Sequence, residues 1–233
     1  MEAIILAGGK AERLGDAAGG RPKALVEIAG RPLAAYQISQ LARADVSRVI
    51  VSCSADQEEA FERELAGLGV EIVTAPEQER LGRGGGLRHA AGFRSEQGPL
   101  FALNGDELID VDLVALMRRH RDRSPAATVT VVAPPSPFGL VDVDEGDVVT
   151  GFRESATLPV WVSCGVYVLD EEAISRLPER GDHEHSTFPE LAAEGRLHAF
   201  RHEGLWITVN TPKDLRRADD HLSAHPDFLI ADR

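Results

Sequence analysis

Apolar and polar positions along the chain change period about halfway. Ala3-Ile4-Ile5-Leu6-Ala7 is an unbroken apolar run bounded by Gly8-Gly9. That pattern predicts a strand covered on both faces, as in a parallel sheet. Leu33, Tyr36, Ile38 and Leu41 follow at helical spacing within residues 32–43. Strands are then expected over 49–51, 70–73 and 100–103, and helices over 57–65, 86–93 and 110–120. From residue 128 the pattern turns β-rich. Strands are expected over 128–133, 139–143, 148–152, 162–169, 197–200 and 205–209. The second and third of these are joined by an Asp144-Glu145-Gly146-Asp147 turn and read as a hairpin. A closing helix over 212–222 has Thr211 as N-cap and Pro212 at its first position. The tail from His225 is ambiguous.

Strands alternating with helices imply right-handed βαβ units. The expected fold is therefore α/β and Rossmann-like, a mostly parallel central sheet with helices on both faces, followed by a β-rich second half. No repeat, low-complexity tract or linker divides the chain. One domain over 1–233 is expected, with 1–125 as a nucleotide-binding first half and 126–233 as a β-rich second half.

Composition narrows the chemistry. Of 233 residues, 43% are hydrophobic and 27% charged, so a substantial core is available. The formal net charge of -13 repels a nucleic-acid backbone, which argues against nucleic acid as a partner. It also means that a phosphate ligand needs local help from glycine backbone, a few cations or a divalent metal. No apolar run approaches membrane-spanning length, and the apolar start is too short for a signal peptide. Cys53 and Cys164 lie far apart in apolar runs, as buried free thiols do. A cytoplasmic location is expected, with no membrane partner; a homo-oligomer is compatible with everything above.

The candidate chemistry gathers at strand ends. A buried strand running into Gly8-Gly9 presents bare backbone N–H groups at the carboxyl edge of the sheet, where open α/β sheets bind ligands. Arg13 offers a forked contact to phosphate oxygens, and Lys23, after Pro22, a point charge. The motif is neither GxxxxGK[ST] nor GxGxxG. A second glycine-rich segment, Leu81-Gly82-Arg83-Gly84-Gly85-Gly86-Leu87-Arg88, follows the third strand, and Phe101-Ala102-Leu103-Asn104-Gly105-Asp106 is a strand ending in a carboxylate. His183-Glu184-His185 reads as a solvated loop rather than a transition-metal site.

These motifs, in this order, resemble the sugar-1-phosphate nucleotidyltransferase family. Its opening signature has the form LAGGxGTRL…PKxLxxxxGxPL; this chain has LAGGKAERLG and RPKALVEIAGRPL, departing at Ala11 and Glu12. The resemblance implies that Leu6, Ala7, Gly8 and Gly9 cradle the nucleotide. Arg13 then holds the departing pyrophosphate and Lys23 contacts the reacting phosphates, both as catalytic residues. Residues 81–88 look like the family's LGTGGALR segment against base and ribose, which implies nucleotide contacts at Gly82, Gly84 and Gly85, with Arg83 in place of Thr. Asn104 joins the nucleotide site, and Asp106 resembles the family's Mg²⁺-binding Asp.

On the sugar-phosphate side, Gly139-Leu140-Val141, Phe152-Arg153-Glu154 and Ser163-Cys164-Gly165-Val166-Tyr167 resemble the YGVV, FxEKP and NxGxY segments. Gly139, Arg153, Glu154 and Cys164 are the implied sugar-phosphate residues. Ser155 stands where a phosphate-binding lysine is usual. Many relatives end in WxDxGTPxD; here Thr208 holds the place of that Asp. Aligned instead on the ending of glucose-1-phosphate cytidylyltransferases, Asn210 falls on the metal-binding Asp and is the expected second ligand. The implied reaction joins an NTP and a sugar 1-phosphate with Mg²⁺ as cofactor. Overall likeness points to a mannose- or heptose-1-phosphate guanylyltransferase and so to GTP. The ending keeps a pyrimidine nucleotide open, and Ser155 with Thr208 keeps open a non-catalytic nucleotide-binding homologue.

Overall fold

A computed structural model describes residues 1–9 and 11–225. In chain order the elements are β1 (Glu2–Leu6), β2 (Glu27–Ile28), β3 (Arg31–Pro32), α1 (Leu33–Arg43), β4 (Arg48–Ser54), α2 (Glu58–Glu64), β5 (Glu71–Glu77), α3 (Gly82–Ala91), β6 (Leu100–Asn104), β7 (Glu107–Ile109) and α4 (Leu113–Arg123). The second half continues with β8 (Ala127–Val132), β9 (Leu140–Val143), β10 (Val149–Arg153), β11 (Val162–Leu169), α5 (Glu171–Ser175), α6 (Thr187–Ala193), β12 (Leu197–Arg201), β13 (Trp206–Thr208) and α7 (Pro212–Ala224).

Seven strands form one sheet in the order β12-β8-β11-β6-β1-β4-β5. Only β11 runs against its neighbours; every other pairing is parallel. Alternation of side chains sends Ile5, Val51, Phe101 and Leu103 to one face, where they meet Ile38 and Leu41 of α1, Phe61 of α2 and Leu116 of α4. Ile4, Ile50, Ala102 and Tyr167 point to the other face and meet Leu87 and Ala90 of α3, and Phe188 and Leu191 of α6. This is the expected α/β sandwich with helices on both faces. A third apolar cluster joins Leu14, Ile28 and Tyr36 to Leu108, Ile207, Val209 and Leu222. It seats α7 and the β7–β13 ladder beside the end of the sheet.

Several elements differ from the pattern reading. The helix expected over 86–93 begins four residues earlier, at Gly82, despite the low helix propensity of glycine. The glycines permit close packing that compensates. A Cβ on Gly84 would lie 2.7 Å from the His183 nitrogen, and one on Gly85 2.6 Å from the Glu179 carbonyl oxygen. The helix expected from residue 110 starts at Leu113, because the Asp112 side chain accepts from the Ala115 N–H as its N-cap. β2, β3, β7, α5 and α6 are additional. Thr211 and Asp214 form a reciprocal capping box at the start of α7. Most of the ambiguous tail, residues 226–233, lies outside the described residues.

Candidate active site

The first four parallel strands stand in the order β5-β4-β1-β6, so successive connections leave β1 toward opposite edges of the sheet. Such a switch point opens a crevice at the carboxyl ends of the strands. A cavity of about 500 Å³ lies there. Leu6, Ala7, Gly8 and Gly9 border it from β1, Asn104 and Asp106 from β6, Gly82 from the start of α3, and Thr208 and Asn210 from the chain after β12.

Four residues far apart in sequence meet on one side of this cavity. The Lys23 ammonium, almost fully buried, donates to Asp106 Oδ2 at 2.6 Å and also to Asn210 Oδ1. Arg13 Nη2 donates to the same Asn210 oxygen at 2.6 Å. One amide oxygen thus receives two cationic donors, and Asp106 and Asn210 face a single ammonium.

The surrounding backbone holds this cluster in place. Gln37 of α1 donates to both carbonyls flanking the turn that carries Asp106, Asn104 O at 2.8 Å and Glu107 O at 2.9 Å. Gly105 N–H reaches Leu6 O, and a Cβ on Gly105 would stand 2.7 Å from that oxygen, so only glycine fits beside the end of β1. Val209 N–H binds Asp106 O at 2.8 Å, and Asp214 of the capping box accepts from the Asn210 and Thr211 backbone N–H groups.

Glu107, absent from the motif reading, lies under this turn and is 5% exposed. Its Oε2 accepts from Trp206 Nε1 and Thr208 Oγ1, each at 2.8 Å, across the register that pairs Glu107 with Thr208. Burial, with the neighbouring Asp106 carboxylate, pushes its carboxyl up to about 8, against the pull of those two hydrogen bonds and of Lys23. Thr208 therefore ties the ladder together. The signal for Glu107 in the sequence is its position: it follows the strand-end Asp and faces a two-strand ladder that the pattern did not reveal.

A family model described as nucleotidyl transferase matches residues 2–225. The chain belongs to the nucleotidyl transferase family. It is 32% identical over 234 residues to a mannose-1-phosphate guanylyltransferase of Mycobacterium tuberculosis, covering 95% of this chain but 64% of that relative, so it spans less than two thirds of that relative's length. Two solved structures share its fold. The inositol-1-phosphate CTP transferase from T. maritima has a TM-score of 0.76 at 21% identity and is matched over 99% of this chain and 98% of its own. HddC from Yersinia pseudotuberculosis complexed with GMP-PN has a TM-score of 0.72 at 23% identity, matched over 95% and 99%.

Within this family member the remaining site candidates lie apart from the Lys23 cluster. Gly84 and Gly85 pack on residues 178–183, and the cavity wall there is made by Gly82 and Arg83. The Arg83 guanidinium is held by Asp182 and Glu184. Arg153 pairs with Asp142 on the exposed β9–β10 hairpin, and Gly139 and Glu154 neighbour one another beside Phe152. None of these three borders the cavity. Cys164 is a correction. Its thiol is fully buried, donates to Thr130 O at 3.2 Å and is pushed up to about 12 by burial, so no side-chain contact to substrate remains open to it. The solvated reading of residues 183–185 holds for His185 alone; His183 is instead fully buried, packed edge-on against Tyr167 and Phe188 beneath α3. No helix among the described residues is long and apolar enough to cross a membrane.

Proposed function

We propose that this chain transfers a nucleoside monophosphate from an NTP, GTP by preference, to a sugar 1-phosphate and releases pyrophosphate. The observation that carries the proposal is the convergence of Arg13, Lys23, Asp106 and Asn210 at the switch-point cavity. An acidic protein that buries a lysine and aims an arginine beside a glycine loop has built a local site for phosphate. The guanylyltransferase relative supports GTP and makes mannose 1-phosphate the first sugar to test.

The attacking oxygen belongs to a phosphate monoester and is already anionic at neutral pH, so no general base is required. It forms a bond to the α-phosphorus as the bond to the β-phosphate bridging oxygen breaks, and pyrophosphate leaves. Catalysis is then alignment and charge neutralisation. Lys23 balances charge on the reacting phosphates, and Arg13 holds the pyrophosphate. Asp106 and Asn210 supply a carboxylate and an amide oxygen facing one cationic point, the hard donor set that Mg²⁺ takes together with phosphate oxygens. When bound there, the metal supplies further charge neutralisation and alignment. Gly139, Arg153 and Glu154 form the proposed sugar-phosphate side, on or beside the hairpin. A cytoplasmic location belongs to the same reading.

The test is a matrix of NTPs against sugar 1-phosphates, read by pyrophosphate release. Release should require both substrates and stop with EDTA. Turnover of NTP alone, or unchanged turnover in EDTA, overturns the proposal. Nucleotide binding with no turnover for any pair favours a binding module instead.

A further inference from the structure

The β9–β10 hairpin stands apart from the rest of the fold. Among the described residues its two strands pair only with each other, and both outer edges are open. A two-stranded hairpin standing alone is marginally stable in water. The register sets Val141 opposite Phe152 and Val143 opposite Val149, with a bulge between Val149 and Gly151. Residues opposite one another share a face, as do alternate residues along a strand. One face therefore carries Val141, Val143, Val149 and Phe152, all apolar and between 46% and 63% exposed. The other face carries the Asp142–Arg153 ion pair. The hairpin is amphipathic, and its apolar face meets water.

Phe138, Val148, Val160 and Trp161 flank this face. Eight of the nine large exposed hydrophobics among the described residues thus fall within residues 138–161, which makes them a patch rather than scattered side chains. Together they leave on the order of 800 Å² of surface in water, above the largest apolar patch of a typical monomer and about one partner's share of a standard interface.

We propose that the apolar face of the β9–β10 hairpin is the contact of a two-fold dimer of this chain. The face is built from two neighbouring cross-strand pairs, one small, Val143 with Val149, and one holding a ring, Val141 with Phe152. A two-fold axis between the pairs seats each Phe152 ring on the partner copy's valine pair, large against small. Such a contact is isologous and closes at two copies. The face carries no charge, so two chains of net charge -13 can meet there without burying a carboxylate. The contact gives the hairpin the apolar cover it lacks alone, and leaves the face with Arg153 open in each copy.

The test is sedimentation equilibrium of the full chain. Wild type should show twice the 25.2 kDa of one chain, at concentrations of about 10 µM, as a contact of standard size allows. The double variant Val143→Lys with Val149→Lys puts two ammonium groups where each ring would seat. It should weaken dimerisation at least about 100-fold, because the contact would bury unpaired charge. Both positions are exposed in the single chain, so the circular-dichroism spectrum should not change. A wild type that is monomeric at about 100 µM overturns the proposal, whatever else covers the face. A dimer that the two lysines leave intact also overturns it. A second measurement needs no lysine variant. Spin labels on Thr150→Cys, the native cysteines being buried, should lie within about 30 Å of each other across the dimer, since packed sheets stand about 10 Å apart. A longer distance places the dimer contact elsewhere and refutes the hairpin as its site.

Discussion

Replacing His183 by Phe tests how the wall behind α3 is stabilised. The imidazole is fully buried, stands edge-on to Tyr167 and Phe188, and has no hydrogen bond to either ring nitrogen among the described residues. Burial lowers its pKa from the ordinary 6.5 to about 4, although Asp182 and Glu184 favour the charged form. The unfolded chain therefore binds a proton between those values that the folded chain does not, and stability falls as pH drops from 6.5 toward 4. At about 1.4 kcal/mol for each tenfold difference in dissociation constant, the loss approaches roughly 3 kcal/mol, with about 2.5 kcal/mol already gone at pH 4.5. Phenylalanine cannot protonate and leaves no orphaned nitrogen, so His183→Phe should be near neutral or stabilising at pH 7.5. The assay is urea unfolding of both proteins at pH 7.5 and 4.5. Every other titrating group is shared, so the change in their stability difference isolates this ring. If that difference is the same at both pH values, the account of His183 is refuted.

Other consequences are as direct. Lys23→Ala should lower kcat by roughly 10²- to 10³-fold with an intact circular-dichroism spectrum; a change within twofold would make Lys23 dispensable. Asn210→Asp should lower the Mg²⁺ concentration for half-maximal rate, Asn210→Ala should lose most activity and Thr208→Ala little, the reverse order of the two alanine variants marking Thr208 as the ligand. Gly85→Ala should cost about 1–3 kcal/mol in urea unfolding, because its Cβ would stand 2.6 Å from the Glu179 carbonyl; a loss under about 0.5 kcal/mol would show that residues 178–183 yield freely. Cys53 and Cys164, both buried and pushed up to about 12, should resist a thiol reagent at pH 8 until the chain is unfolded, and rapid labelling of the native protein would contradict their burial.

The parallel half of the fold was legible because apolar runs such as residues 3–7 are long, continuous and ended by glycine. Lys23, Asp106 and Asn210 were legible because each sits in a short motif. The start of α3 was not, since four glycines in five positions signal a loop unless the segment they pack against, residues 178–183, is known. Glu107 was missed for a related reason. It is defined by a cross-strand partner, Thr208, that no local pattern names. The burial of Cys164 was legible in its apolar run, whereas a strand motif gives a residue's position along the strand but not which face it occupies.

The β7–β13 ladder has a consequence for synthesis. The seven-stranded sheet is complete once Arg201 has been made, whereas Trp206, Thr208 and Asn210 come afterwards. A nascent chain, its N-terminal part first, can thus cover most of the two faces of the sheet before Lys23 and Asp106 meet Asn210, 187 residues from Lys23, while the third cluster still awaits Ile207, Val209 and Leu222. A chain interrupted between residues 201 and 206 would hold the sheet but leave Leu14, Ile28, Tyr36 and Leu108 uncovered, and Lys23 and Asp106 without Asn210.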